Sequence, residues 1–188
     1  HKEYRRQRQM CIRDSFYIFP IYEKGSINQY KLNFSSNEVR LNKYIRILNE
    51  ALNCIHEAGF IHSDIKPNNI LWDEDNDIPV ISDFGSVTLG NENLSDSRSI
   101  TVAADKNTEG YLAPDAAVYA AVKGNADRKS RIIVARKTDY FALGISLCEM
   151  YVNEPGFKLF KDNADLVLKL NDNNVVYPRE VELSLIHI

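Results

Sequence analysis

The chain has 188 residues, 44% hydrophobic and 26% charged, an ordinary globular composition with enough apolar material for one core. Its formal net charge of −3 argues against nucleic acid as the main partner, since that binding is driven by phosphate neutralisation. The longest apolar run, residues 140–152, is broken by Gly144, Ser146 and Glu149; it is too short for a membrane span and reads as a buried helix.

The two ends look foreign. Residues 10–15 read M-C-I-R-D-S and residues 183–188 read L-S-L-I-H-I. The second is the translation of a transposon-end sequencing adapter, and the first is that of its reverse complement in another frame. A matched inverted pair at both ends is not expected of a natural domain. Residues 1–15 and 183–188 are therefore read as translated adapter and set aside from fold reasoning, with the natural protein expected to continue past both. For residues 1–9 the alternative is a basic arm.

Residues 16–21, F-Y-I-F-P-I, form a β-prone run in which Pro20 cannot donate to a ladder, so it marks a strand end or edge. Residues 22–26 read as a connector turning at Gly25. From Ser36 the period changes to 3.6: Leu41, Ile45, Leu48, Leu52 and Ile55 recur at helical spacing. Ser35 or Ser36 can cap the start, and Gly59 suits the left-handed position that ends such a helix. Cys54 and His56 on it read as core or flank residues. The three cysteines, Cys11, Cys54 and Cys148, have no metal or disulfide spacing; free thiols at helical core positions suggest a reducing, cytoplasmic setting.

Residues 60–71 read F-I-H-S-D-I-K-P-N-N-I-L. A polar turn lies between apolar runs, with Asp64, Lys66 and Asn69 at its positions one, three and six. A loop pinned at both ends by buried strands can aim a carboxylate, an ammonium and an amide at one small volume. Those groups are wanted where a hydroxyl loses a proton, a phosphate is neutralised and a metal is held. Two short apolar runs, 69–72 and 79–82, then flank the acidic residues 73–77. These lack the central Gly and distant Glu of a calcium loop and read as a hairpin tip. Asp83-Phe84-Gly85 follows, 19 residues after Asp64.

H-x-D-x-K-x-x-N followed at this distance by D-F-G resembles the catalytic machinery of the protein kinases, with Ser63 where most members carry Arg. The resemblance implies that Asp64 accepts the substrate hydroxyl proton, that Lys66 steadies the γ-phosphoryl, and that Asn69 and Asp83 hold Mg between the phosphates of ATP. It also implies that Phe84 packs against His62, and that Phe19 stands at the gatekeeper position. Backbone groups of Ile21 and Tyr22 would meet adenine.

Residues 90–107 are polar and aperiodic and read as a mobile loop. Residues 108–115, T-E-G-Y-L-A-P-D, resemble the end of a kinase activation segment, with Asp115 in place of the usual Glu. Thr108 matches the threonine that bonds the catalytic Asp and Lys in serine/threonine kinases. Residues 116–137 exceed what the family needs and read as a solvated loop. Thr138-Asp139 would cap a helix over 140–151. D-Y-F-A-L-G resembles the family's core helix, in which Asp139 would hydrogen-bond the backbone of the catalytic turn. A short helix is expected over 164–170.

The expected fold class is α+β: residues 16–27 the end of a β-lobe strand and the hinge, residues 28–182 a mainly helical, truncated C-terminal lobe with short hairpins at the cleft. The function implied is ATP- and Mg-dependent phosphorylation of serine or threonine in a protein substrate. No glycine-rich loop, strand lysine or helix glutamate is found, so the chain alone is expected to be inactive. Ser63 implies activity that does not depend on activation-loop phosphorylation. Two alternatives stay open: a small-molecule phosphotransferase of the aminoglycoside type, and a pseudokinase scaffold. Oligomeric state is not indicated.

Overall fold

The computed structural model describes residues 6–10, 16–30, 38–89, 100–103, 110–114, 131–134, 136–152, 159–162, 164–165 and 168–169. Strand β1 (Arg6–Met10) pairs antiparallel with β2 (Phe16–Pro20), Met10 opposite Phe16. The strand expected at 16–21 therefore forms and ends at Pro20. Its partner lies within the segment set aside on sequence grounds.

The connector turns at Gly25, whose φ is +70° and whose N–H donates to the Tyr22 carbonyl at 3.0 Å. Helix α1 (Ile27–Tyr30) follows, with Ile27 buried. The connector is tied to the strand that follows the polar turn: Trp72 N donates to Gly25 O at 3.0 Å, and Ser26 bridges Leu71.

Helix α2 (Glu38–Glu57) buries Tyr44, Leu48, Leu52 and His56, a stripe at four-residue spacing. Of the stripe expected through Leu41, Ile45, Leu48, Leu52 and Ile55, Leu48 and Leu52 are buried as expected, whereas Leu41, Ile45 and Ile55 are only partly buried, because the face is centred on the Tyr44 side and closes at His56. Cys54 is exposed rather than in the core. It lies two residues, about 200° around the axis, from Leu52. Cys148 is buried as expected. Gly59, at φ +82°, ends the helix, its N–H on the His56 carbonyl at 3.1 Å. The proposed caps Ser35 and Ser36 lie outside the described residues.

Strand β3 (Phe60–Ile61) enters the polar turn at 62–69, and β4 (Ile70–Asp73) leaves it. β4 pairs with β5 (Ile78–Ile81), Asp73 opposite Ile78, so the acidic residues form a hairpin tip as expected. That tip is docked. The Asp77 carboxylate takes Arg40 at 2.6 Å, Lys43 at 3.0 Å and the Tyr44 hydroxyl at 2.8 Å, all from α2. β3 also pairs with β6 (Thr88–Leu89) beyond D-F-G, Ile61 opposite Thr88.

Two expectations need correction. The segment read as a mobile loop contains β7 (Ile100–Ala103), which pairs with β8 (Arg131–Val134), Val102 opposite Ile132. Both are short β-branched runs hidden in polar surroundings, and each supplies the other with the ladder it lacks locally. Thr138 and Asp139 do not cap the next helix, because α3 (Arg136–Val152) already includes them. Both side chains are buried, where Asp139 has another task. Residues 164–165 and 168–169, within the expected short helix, are helical. No helix among the described residues is long and apolar enough to cross a membrane.

The core gathers Tyr44, Leu48 and Leu52 of α2, Ile70, Trp72 and Ile81 of the hairpin, and Leu143 and Met150 of α3 around Ile65. Ile65 sits inside the polar turn itself and is 1% exposed. Burying such a side chain stabilises by about 1.5–3 kcal/mol. Here it also nails the turn to the core between Asp64 and Lys66.

Candidate active site

The turn between β3 and β4 is held from below by Asp139. One carboxylate oxygen, Oδ2, accepts the N–H of His62 at 2.8 Å; the other, Oδ1, accepts the N–H of Ser63 at 2.8 Å. Ser63 has φ +67°, a left-handed conformation that is uncommon for a residue with a Cβ. The two bonds to Asp139 hold it there. Asp139 is itself held by His56, whose Nε2 lies 2.8 Å from Oδ2.

His62 is fully buried. Its Nε2 lies 3.1 Å from the Ser82 carbonyl, and its ring lies 5.2 Å from that of Phe84, the packing expected for D-F-G. Burial pushes the His62 imidazole below its ordinary range, against the opposing charges of Asp139, Asp64 and Asp83.

Above His62, three side chains meet. Lys66 Nζ lies 2.8 Å from Asp64 Oδ2. Asn69 Nδ2 donates to Asp64 Oδ2 at 2.9 Å and to the Asp64 carbonyl at 2.8 Å. A 3₁₀ turn over Pro67–Asn69 makes this possible, because it folds Asn69 back towards the start of the loop. The Asn69 carbonyl accepts both the N–H and the hydroxyl of Ser82, at 2.8 and 2.9 Å. That contact stitches the residue before Asp83 to the catalytic turn. Asp83 is exposed, in a left-handed conformation with φ +61°, its Oδ1 accepting Gly85 N at 3.3 Å.

The donor set suits magnesium. With its amide nitrogen on Asp64, Asn69 has the carbonyl Oδ1 as its remaining donor atom, and Asp83 adds a carboxylate. Among the described residues no group of three or more His, Cys, Asp or Glu could hold a metal ion. Two such hard oxygen donors would leave the rest of an octahedron to phosphate and water, the coordination Mg²⁺ favours.

Other expected residues fare differently. Thr108 and Asp115 lie outside the described residues. Ile21 is exposed, and the Tyr22 carbonyl is engaged by Gly25 N–H. Tyr111, just before the A-P-D run, donates its hydroxyl to Glu149 at 2.6 Å. Burial, then the Glu149 contact, pushes this phenol far up, with a further contribution from Asp64. Sequence reasoning did not foresee that pair, nor the amide bridge from Asn28 Nδ2 to Asn68 Oδ1 at 2.8 Å. It also gave His56 no role beyond packing, although a polar residue closing the Tyr44–Leu48–Leu52 stripe was a readable signal.

The protein kinase domain family matches residues 7–184, and the chain belongs to that family. The human serine/threonine-protein kinase Kist is 34% identical over 103 residues, 54% of this chain and 22% of its own length. The mouse dual specificity protein kinase TTK is 30% identical over 158 residues, 82% of this chain and 17% of its own. The leucine-rich repeat receptor-like protein kinase PEPR1 of Arabidopsis thaliana is 30% identical over 178 residues, 86% of this chain and 14% of its own. The chain thus spans less than a quarter of the length of each of these relatives.

Proposed function

We propose that the protein containing this chain transfers the γ-phosphoryl group of ATP to serine or threonine hydroxyls of proteins in the cytoplasm, with this chain supplying the C-terminal lobe and hinge. The observation that carries the reading is the convergence of Lys66 and Asn69 on the Asp64 carboxylate, with Ser82 joining Asn69 to the D-F-G segment. Asp64 orients the acceptor hydroxyl and takes its proton as that oxygen bonds to the γ-phosphorus. The bond from phosphorus to the β–γ bridging oxygen breaks at the same time, and ADP leaves. Lys66 neutralises charge on the moving phosphoryl group. Asn69 Oδ1 and the Asp83 carboxylate would hold Mg²⁺, which, when bound, neutralises phosphate charge. Thr108 would brace Asp64 and Lys66. The 188-residue chain by itself, without a glycine-rich loop or strand lysine, would transfer phosphate poorly.

The test is to incubate the complete protein with radiolabelled ATP, Mg²⁺ and dephosphorylated protein substrates, then hydrolyse the product. Label on phosphoserine and phosphothreonine is expected. Label confined to phosphotyrosine, or to a small-molecule hydroxyl, would overturn the reading.

A further inference from the structure

We propose that Asp77 is a positioning residue for Asn69 and Asp83, acting by clamping to α2 the far end of the hairpin that carries them. The link to magnesium rests on the function proposed above; the structural half does not.

β4 and β5 have four residues each and, among the described residues, form a sheet of only two strands. Such a hairpin is marginal in water unless something else packs on it. Here α2 supplies the support, because Arg40, Lys43 and Tyr44 stand three and four residues apart and share one face. Asp77 Oδ1 accepts Arg40 at 2.6 Å and the Tyr44 hydroxyl at 2.8 Å. Lys43 donates to Oδ2 at 3.0 Å and to the Asp77 carbonyl at 2.7 Å, so it grips backbone as well as side chain. Arg40 Nε also donates to the Tyr44 hydroxyl at 2.8 Å, which turns the hydroxyl proton towards Asp77. Asp77 has φ +52°, a left-handed conformation that Asp tolerates better than most side chains. The same face of α2 reaches the other strand. Trp72 of β4 lies 5.2 Å from the Tyr44 ring and 5.1 Å from the Arg40 guanidinium.

The open end of the hairpin lies about 13 Å of strand away from this clamp. There Ile70 stands opposite Ile81, and the pairing runs one residue further, with Ser82 N–H on the Asn69 carbonyl at 2.8 Å. Asn69 immediately precedes β4, and Asp83 follows β5 by two residues. The two proposed metal ligands therefore leave the mouth of one hairpin whose tip is fixed to α2. A tilt of that hairpin moves both, and Mg²⁺ demands near-ideal octahedral geometry. Asn69 is also held by Asp64, so the exposed Asp83 depends more on the hairpin. Partly exposed ion pairs add little global stability, so loss of the clamp is expected to leave the fold intact and to show locally.

Two variants of the complete protein test this. Asp77→Ala removes the carboxylate of the clamp, and Arg40→Met with Lys43→Met removes two donors while leaving the turn untouched. Amide hydrogen exchange at Ser82, read by NMR, needs no activity. It is expected to quicken at least fivefold in both variants, with Leu143 in α3 within twofold of the parent. Unchanged exchange at Ser82 in either variant overturns the proposal, as does a rise shared equally by Leu143. The second readout is the Mg²⁺ concentration that gives half-maximal phosphoryl transfer at saturating ATP. It is expected to rise at least threefold in both variants, while the KM for the protein substrate stays within twofold. A Mg²⁺ requirement equal to the parent's overturns the positioning role, because a clamp serving stability alone would not move it. Should Asp77→Ala fail to fold, the double methionine variant decides by the same two readouts. A parent protein that transfers no phosphate sinks the function proposed above, and Ser82 exchange then still decides whether the clamp holds the mouth of the hairpin.

Discussion

Asn69 donates through its amide nitrogen to Asp64 twice, to the backbone carbonyl at 2.8 Å and to the carboxylate Oδ2 at 2.9 Å. One side chain thus aims the proposed base and keeps its own amide oxygen for the magnesium proposed above. Asn69→Asp keeps an oxygen at that place but sets a carboxylate against a carboxylate, an arrangement that resists ionisation of both. Phosphoryl transfer by this variant is expected to fall at least tenfold, and the same is expected of Asn69→Ala. Steady-state kcat with saturating ATP and Mg²⁺ checks it; a fully active aspartate variant would show that the amide donor is not needed.

Asp139 lies beneath the same turn and accepts from His62 and Ser63 on separate oxygens. Asp139→Ala removes both acceptors and leaves buried N–H groups unmatched, at about 1–3 kcal/mol each. Thermal unfolding should show the loss as a lowered midpoint. Asp139→Asn can accept on one oxygen only, so it should lie between the parent and the alanine variant in stability.

The turn and the D-F-G segment were legible in the sequence because their chemistry is written in contiguous residues at fixed spacing, and the Phe84–His62 packing was legible through the family resemblance those residues carry. The role of Asp139 was legible only through family resemblance, and its place inside the first turn of α3 was not. A buried carboxylate whose partners are backbone amides 76 and 77 residues away leaves no local pattern. The same holds for Asp77, which reads as one more acid in a hairpin tip until the fold brings Arg40 and Lys43 beside it. β7 and β8 were missed for a related reason. Four β-branched or small residues in polar surroundings signal nothing until a partner strand is supplied.

The Asp77 clamp makes a pH prediction. Burial pushes this carboxyl up, but hydrogen bonds from Tyr44, Lys43 and Arg40 outweigh it and hold the group below its ordinary value of 3.8. A folded value below the unfolded one means the stabilisation is fully present above about pH 3.8 and is lost as pH falls through the folded value. The groups are substantially exposed, so the contribution is expected to be under about 1 kcal/mol per pair. Asp77→Asn should therefore be slightly less stable than the parent at pH 7, with a smaller gap at pH 3. Denaturant titrations at both pH values check this; a gap that widens on acidification would contradict it.

Gly110 has φ +87°, and a Cβ added there would stand 2.8 Å from the Phe160 carbonyl oxygen. Backbone cannot swing aside as a long side chain can. Gly110→Ala is expected to cost about 1–3 kcal/mol, read as a lowered denaturation midpoint.

Ser63 places a hydroxyl, 3.4 Å from Thr88 Oγ1, where a guanidinium would otherwise reach for a phosphorylated loop. Phosphatase treatment of the complete protein is therefore expected to leave its rate within about twofold, since no charge-assisted contact from this turn would be lost. A protein that gains most of its rate on phosphorylation of residues 90–114 would contradict the expectation.

Turnover by the complete protein and its Asp64→Asn variant, assayed side by side with ATP, Mg²⁺ and a protein substrate, goes most directly to the proposed base. An amide in place of the carboxylate fills the same space and cannot take the hydroxyl proton. A fall of at least about a hundredfold in kcat is expected, the lower end of what a general base contributes. Equal turnover by the two proteins would show that Asp64 is not that base.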